Sequence, residues 1–326
     1  MARIIGTFDY NVDVVACNNV RAAKKIRGKY DLIIGLIPRG VDYWTDHMNE
    51  GCKLVAYMTS MNVGITTCNS IQRGIELFKR RGVMLIESII LSKRVLTKDL
   101  EKFNAAWFIG NSYNFYSYEN FNMPPTYYIK NSGYNFKWLN ENIIRNKKNF
   151  LYFTSRKQVH RGLDLLLEIF SKPGFECNLY ICSPFKNEDD FCEEYKHELF
   201  ETPNIFPIGF VDINGSEFRE LTEKCAYALL PSCAEGISGS VATVMSAGVI
   251  PIVSKECGYE DDEVINLPDC KIDTIEKYIR DYSAKPDEWI KQTSSHVVEI
   301  IKTRYSRQNF TDSIISAMNA LTKEVI

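Results

Sequence analysis

The stretch PSCAEGISGSVATVMSAGVIPIVS, residues 231 to 254, decides the fold. The apolar run AYALLPS (226 to 232) leads into it and IPIVS (250 to 254) ends it. Between them lie almost only Gly, Ser, Ala and Thr, with one acid, Glu235. A strand ending at Ser232, a glycine-containing loop and a helix beginning near Ser240 make half of a phosphate-binding crossover. The first amides of such a helix have no partner inside it, and the helix dipole favours an anion there. Gly236, Ile237, Ser238, Gly239, Ser240 and Thr243 are the candidate residues of this loop and first turn, because small side chains let a ligand approach the backbone. Read alone, the stretch is equally consistent with glycines that only make a turn.

Outward from this unit, short apolar runs alternate with amphipathic stretches. YDLIIGLI (30 to 37), CKLVAYM (52 to 58), VMLIES (83 to 88) and AAWFIG (105 to 110) read as buried strands, with NNVRAAKKIRG and CNSIQRGIELFKRRG as helices. NFLYFTS (149 to 155), LDLLLEIF (163 to 170), CNLYICS (177 to 183), IFPIGFV (205 to 211) and EFRELTEKC (217 to 225) continue the pattern. The class is α/β with mostly parallel sheets. The polar segment NENIIRNKKN divides the chain near residue 147, and YSRQNFTDSIISAMNALT (305 to 322) is a final amphipathic helix that could cross back onto the first domain.

Composition sets limits. With 326 residues, 45% hydrophobic and 25% charged, the chain is an ordinary globular protein of about two domains. No window reaches the ~18 apolar residues of a membrane span, so a cytoplasmic location is expected. Ten cysteines occur without a CxxC pair, and no Asp-x-Asp triplet is present, so no metal ligand set is expected. With a pI near 6.2 and no recognised motif, nucleic acid is not an expected partner. The net charge of −2 hides an asymmetry: 21 Lys and Arg against 12 Asp and Glu through residue 148, then 18 against 29.

A second stretch, FTSRKQVHRGLDLLLEIF (153 to 170), sets Arg156 and Arg161 after a strand and before a helix. Two guanidiniums there can clamp a diphosphate and neutralise a leaving group without a metal. His160, beside Arg161, could donate a hydrogen bond to a phosphate; it is not assigned a catalytic role.

In this order, SRKQVHRGLDLLLEIF and LLPSCAEGISGSVATVMSAGVIPIVS resemble the donor-binding domain of GT-B glycosyltransferases, above all the large retaining family with two Glu separated by seven residues. The resemblance covers residues 149 to 270 and implies two Rossmann-like doubly wound domains facing each other across a cleft: an acceptor side at 1–147 and a donor side at 148–304. The family's diphosphate clamp, Gly-Arg-Leu, three residues, Lys-Gly, matches at Ser155-Arg156-Lys157 and Arg161-Gly162, with Arg in place of Lys. Its first Glu matches Glu235, which the resemblance assigns to donor-sugar hydroxyls. Its second Glu, a ribose contact, falls on Thr243, which cannot offer a charged acceptor. Phe210 and Val211 match its base-binding region.

The resemblance implies metal-independent sugar transfer from a UDP- or GDP-sugar to a saccharide or lipid-linked saccharide, with retention, in surface polysaccharide or glycoconjugate synthesis. A degenerate, non-catalytic nucleotide-sugar binder in an assembly complex also fits, as does a nucleotide-sugar epimerase, although no second carboxylate lies near Glu235 in sequence. In the first domain, Arg39, Asp42, Asn62 and Asn111 follow expected strands and could touch an acceptor. Two basic runs, Lys24, Lys25, Arg27, Lys29 and Lys79, Arg80, Arg81, would suit a lipid-diphosphate acceptor or peripheral contact with the inner membrane face. The aromatic run from Phe103 to Trp138 could stack on sugars or sit at a bilayer interface.

Overall fold

A computed structural model describes residues 1–15, 26, 28–36, 45–92, 97–140 and 143–323. Arg39, Asp42, Lys24, Lys25, Arg27 and most of NNVRAAKKIRG lie outside the described residues.

The first sheet is four-stranded and parallel, in order β1 (Tyr30–Leu36), β2 (Met48–Met58), β3 (Ala105–Phe108) and β4 (Thr126–Tyr128). A short helix, α1 (Ala2–Ile5), precedes it. After β2 the chain enters α2 (Val63–Arg81), capped by Asn62, whose side chain accepts from Gly64 N, and closed by Gly82 at φ 77°. The buried residues of α2 are Thr66, Ser70, Arg73, Gly74 and Leu77, a largely polar stripe. Such a face does not belong on an apolar core, and it packs against polar groups of the second domain. After β3 comes α3 (Ser112–Tyr116), capped by Asn111.

VMLIES does not form the expected strand: Ile86–Ser88 is a 3-10 turn. Its backbone is recruited elsewhere, the Ser88 carbonyl accepting from His160 N at 3.0 Å in the other domain. The aromatic run is mostly structural. Phe108, Phe115, Tyr118 and Tyr128 pack on one another, and Phe136 and Trp138 pack on Phe218 across the domain boundary.

The second sheet is parallel, in order β10-β9-β8-β5-β6-β7, built from β5 (Asn146–Phe153), β6 (Asn178–Cys182), β7 (Ile205–Phe206), β8 (Cys225–Leu230), β9 (Ile250–Ser254) and β10 (Ile265–Leu267). Every residue of β8 and β9 is buried, as strands covered on both faces must be. The strand order reverses between β5 and β8, which makes the gap between their carboxyl ends the switch point where such sheets bind ligands. Helix α4 (Leu163–Phe170) follows β5. Helices α5 (Asp189–Glu194), α6 (Lys196–Glu201) and α7 (Ser216–Lys224) come next, and α8 (Gly239–Ser246) follows β8. Only Ile205 and Phe206 of IFPIGFV pair as strand, since Pro207 has no N–H and Gly209 sits at φ 100°. Helices α9 (Ile272–Ser283), α10 (Asp287–Arg304) and α11 (Arg307–Lys323) close the chain, and α11 packs against α1.

Part of the charge asymmetry meets at the seam. Arg80 pairs with Asp164 at 2.6 Å and Glu168 at 3.1 Å, and Arg81 with Glu194 and Glu198 at 2.6 Å each. Arg81 also stacks on the Tyr195 ring, 4.4 Å from its centroid. These two arginines therefore do not form the free basic face that a membrane or lipid-diphosphate reading of Lys79–Arg81 requires. At this seam two cations of the basic half meet four acids of the acidic half.

Candidate functional site

The loop from β5 to α4 is shaped before any ligand enters. Lys157 takes a left-handed conformation, φ 76°, uncommon for a residue with a side chain. The turn closes through Arg161 N to Lys157 O at 3.0 Å and Leu163 N to Gln158 O at 2.9 Å. Gly162, at φ 80°, starts the helix; a Cβ there would lie 2.6 Å from Pro231 O, so only glycine lets this loop meet the one after β8. Arg161 folds back, its Nε donating to Arg156 O at 3.0 Å and its Nη1 pairing with the Glu235 carboxylate. The Arg156 side chain is exposed, with no partner among the described residues.

Across from it, the loop after β8 holds Glu235. Ser232 Oγ donates to Glu235 Oε1 at 3.1 Å, and the Glu235 carbonyl accepts from Met61 N at 2.9 Å in the first domain. A Cβ on Gly236 would lie 2.4 Å from Thr59 O and 2.6 Å from Ile109 O. The small residue at 236 is thus required by carbonyls of the first domain, not by a ligand's approach. Ile237 and Ser238 are buried too: Asn131 Nδ2 donates to Ile237 O at 3.0 Å and the Tyr259 hydroxyl to Ser238 O at 2.7 Å. Gly239 is exposed and Ser240 half-buried, so these two carry the accessible amide end of α8.

Thr243 is buried, and its hydroxyl donates to Gly239 O at 2.7 Å inside its own helix. Phe210 is 78% exposed, whereas Val211 is buried in a core cluster with Leu151 and Phe218 and cannot face a base. Asn62 and Asn111 both spend their side-chain oxygens as helix caps; Asn111 Nδ2 also donates to Tyr259 O at 3.4 Å across the seam. Asn62 is buried in its own domain and Asn111 reaches across the seam, so neither side chain is left free for an acceptor.

His160 is fully buried. Its Nε2 lies 2.9 Å from Ala234 O, an acceptor only, so Nε2 carries the proton and Nδ1 accepts from Ser70 Oγ at 3.1 Å. Burial, with Arg161 beside it, pulls its pKa down to about 3, leaving a neutral ring that holds the arginine loop to α2.

Sequence reading passed over three groups here. Ser232 orients Glu235. Arg73 of α2, 5% exposed, donates from Nη2 to Pro231 O at 3.1 Å. Glu188, 3% exposed, accepts from Lys157 N and Gln158 N beneath the arginine turn. Arg73 and Glu188 belong to no motif, since each is recruited from a distant segment, whereas Ser232 lies in the stretch 231 to 254 just before Glu235. A cavity of about 690 Å³ opens between α2 and the carboxyl ends of β8, β9 and β10, with Ser232, Arg73, Tyr113, Lys255 and Glu256 on its wall. Among the described residues no cluster of three His, Cys, Asp or Glu could hold a metal ion, and no helix is long and apolar enough to cross a membrane.

No family model and no curated protein matches the sequence. Solved structures match in fold. TarM of S. aureus is similar at 13% identity and a TM-score of 0.65, over 89% of this chain and 54% of TarM, so the chain spans about half the length of that protein. Sucrose-phosphate synthase from Thermosynechococcus elongatus is similar at 12% identity and a TM-score of 0.62, over 90% of this chain and 74% of that one. HepE of Anabaena, solved with UDP and glucose, is similar at 13% identity and a TM-score of 0.59, over 89% and 78%. The likeness establishes the expected architecture, the GT-B arrangement of two parallel α/β domains.

Proposed function

We propose that the chain transfers a sugar from a nucleoside-diphosphate donor, a UDP- or GDP-sugar, to a saccharide or lipid-linked saccharide, with retention at the anomeric carbon and without a metal, in polysaccharide or glycoconjugate synthesis. The observation that carries this is the meeting of Arg161 and Glu235 at the switch point of the second sheet, beside the free Arg156 and the exposed Gly239–Ser240 end of α8. In this reading the diphosphate takes Arg156, Arg161 and the α8 amides, which stabilise negative charge as the sugar–oxygen bond breaks. Glu235, released from Arg161 and held by Ser232, accepts from donor-sugar hydroxyls. The acceptor enters the cavity beside Ser232. Support comes from fold neighbours whose structures carry UDP, UDP-glucose or UDP with GlcNAc.

A non-catalytic binder is the second reading, favoured by the loop at Gly236 packed down on the first domain and by the internally bonded Thr243. A thermal-shift screen of nucleoside diphosphates and their sugars, followed by assay of the hit for transfer and hydrolysis, decides. A donor at 100 times its Kd should stabilise the fold by about 2.7 kcal/mol. Binding with turnover supports the transferase, and the product anomer seen by NMR reports retention; binding with no turnover supports the binder. If no nucleoside diphosphate shifts the melting point, both readings fail.

A further inference from the structure

Glu188 is a buried carboxylate with no cationic partner among the described residues, an arrangement that persists only if hydrogen bonds satisfy the charge. It has three: Lys157 N at 2.5 Å, Gln158 N at 3.1 Å and Ser88 Oγ at 2.5 Å. The first two come from consecutive amides of the left-handed turn that carries Arg156, and the third from the first domain. The same turn is gripped by that domain twice more, through Lys157 Nζ to Glu87 O at 2.6 Å and His160 N to Ser88 O at 3.0 Å.

We infer that Glu188 is the positioning residue of the arginine turn, converting contact with the 3-10 turn Ile86–Ser88 into the placement of Arg156 and Arg161. The inference rests on the proposed donor site. Its carboxylate occupies the two amides that would otherwise bind an anion, which leaves diphosphate recognition to the guanidiniums and α8. It also holds Lys157 in a conformation that the backbone alone disfavours. Withdrawal of Ser88, by any parting of the domains at this point, removes one of its three donors and loosens the turn.

The experiment compares wild type with Glu188→Gln, Glu188→Asp and Ser88→Ala. It reads amide hydrogen exchange at Lys157 and Gln158, the Kd of UDP and GDP by calorimetry, and kcat and KM with the donor found in the screen. Glu188→Gln keeps the volume but turns one acceptor into a donor facing an N–H. Exchange at 157 and 158 should quicken, and diphosphate affinity fall, each about tenfold, the worth of one hydrogen bond to a charged group. Donor KM should rise with acceptor KM unchanged, Glu188→Asp should recover part of the loss, and Ser88→Ala should move the same readouts by less. Ser88→Ala keeps the question answerable if Glu188→Gln unfolds: unchanged exchange and affinity in that folded variant overturn the inference. So does a Glu188→Gln protein that binds diphosphate as tightly as wild type. A wild type that binds neither UDP nor GDP refutes the donor site itself, and the role of Glu188 with it.

Discussion

Arg161 and Glu235 lie 74 residues apart in sequence and form one ion pair, with side chains 16% and 14% exposed, at the junction of the loops after β5 and β8. Each neutralises the other. In the proposed reaction a diphosphate, which carries more charge than a carboxylate, would displace Glu235 from the guanidinium and free the carboxylate for sugar hydroxyls. The Arg156 side chain, which has no partner among the described residues, is the cleaner probe of the electrostatic stabilisation proposed.

Arg156→Ala should therefore lower turnover by roughly 10²-fold, as loss of a main electrostatic donor does, with the melting temperature unchanged. Arg161→Ala should lower turnover and also destabilise the fold by up to about 3 kcal/mol, because it leaves Glu235 largely buried and unpaired. Steady-state kinetics and urea denaturation on the two variants check the contrast. Equal loss of stability in both would remove the distinction.

Gly236→Ala should cost about 1–3 kcal/mol from overpacking, because its Cβ would meet the Thr59 and Ile109 carbonyls, which are backbone and cannot swing aside. Chemical denaturation measures it. A neutral result would mean that the two domains do not hold this contact in solution.

The seam should respond to salt. Arg81→Ala should cost about 1 kcal/mol, the scale of partly exposed ion pairs, and the cost should shrink as ionic strength rises. A double-mutant cycle of Arg81→Ala with Glu198→Gln, at low and high salt, isolates the pair. Coupling that is zero at low salt would show the pair contributes nothing.

His160 sets a pH signature. Its folded pKa, about 3, lies below the ordinary 6.5, so the unfolded chain binds more protons between those values. Its contribution is fully present above about pH 6.5 and is lost as pH falls toward 3. Asp164, pushed up to about 6 by burial although Arg80 lies 2.6 Å away, acts oppositely between its usual 3.8 and 6. His160→Gln, which keeps a donor for Ala234 O but does not titrate, should abolish the rise in stability from pH 4 to pH 6.5. Denaturation curves across that range test this; an unchanged slope would mean the ring is not neutral and buried.

Under the proposed donor site, turnover should survive a chelator, because two guanidiniums and helix amides would do the neutralising that a metal otherwise does. Assays with and without EDTA check this. A strict requirement for Mg²⁺ or Mn²⁺ would count against the proposed diphosphate site.

Local pattern was enough for the parts whose physics is local. The runs at 177–183, 226–232 and 250–254 are strands because continuous apolar residues of strand length must be buried on both faces, and α4 follows from its leucines. Arg156, Arg161 and Glu235 could be singled out because each lies in a short loop just after a strand, where charged residues are few. VMLIES misled because its apolar run is only partly buried, with Met84 and Ile86 exposed, and it ends in a 3-10 turn whose backbone bonds the other domain. IFPIGFV misled because Pro207 and Gly209 stop the ladder after two residues.

The amino-acid sequence by itself determined two parallel α/β units, a pair of arginines after one strand and a carboxylate after another, all consequences of hydrophobic period and turn chemistry within some twenty residues. Only the tertiary structure decided what those groups meet. It gave Arg161 to Glu235, spent Asn62, Asn111 and Thr243 on backbone, set Glu188 beneath the arginine turn, and turned Arg80 and Arg81 inward to acids of the other domain. The reason is that a side chain's partner is chosen by which loops the two sheets bring within hydrogen-bond reach, and that distance has no trace in local periodicity.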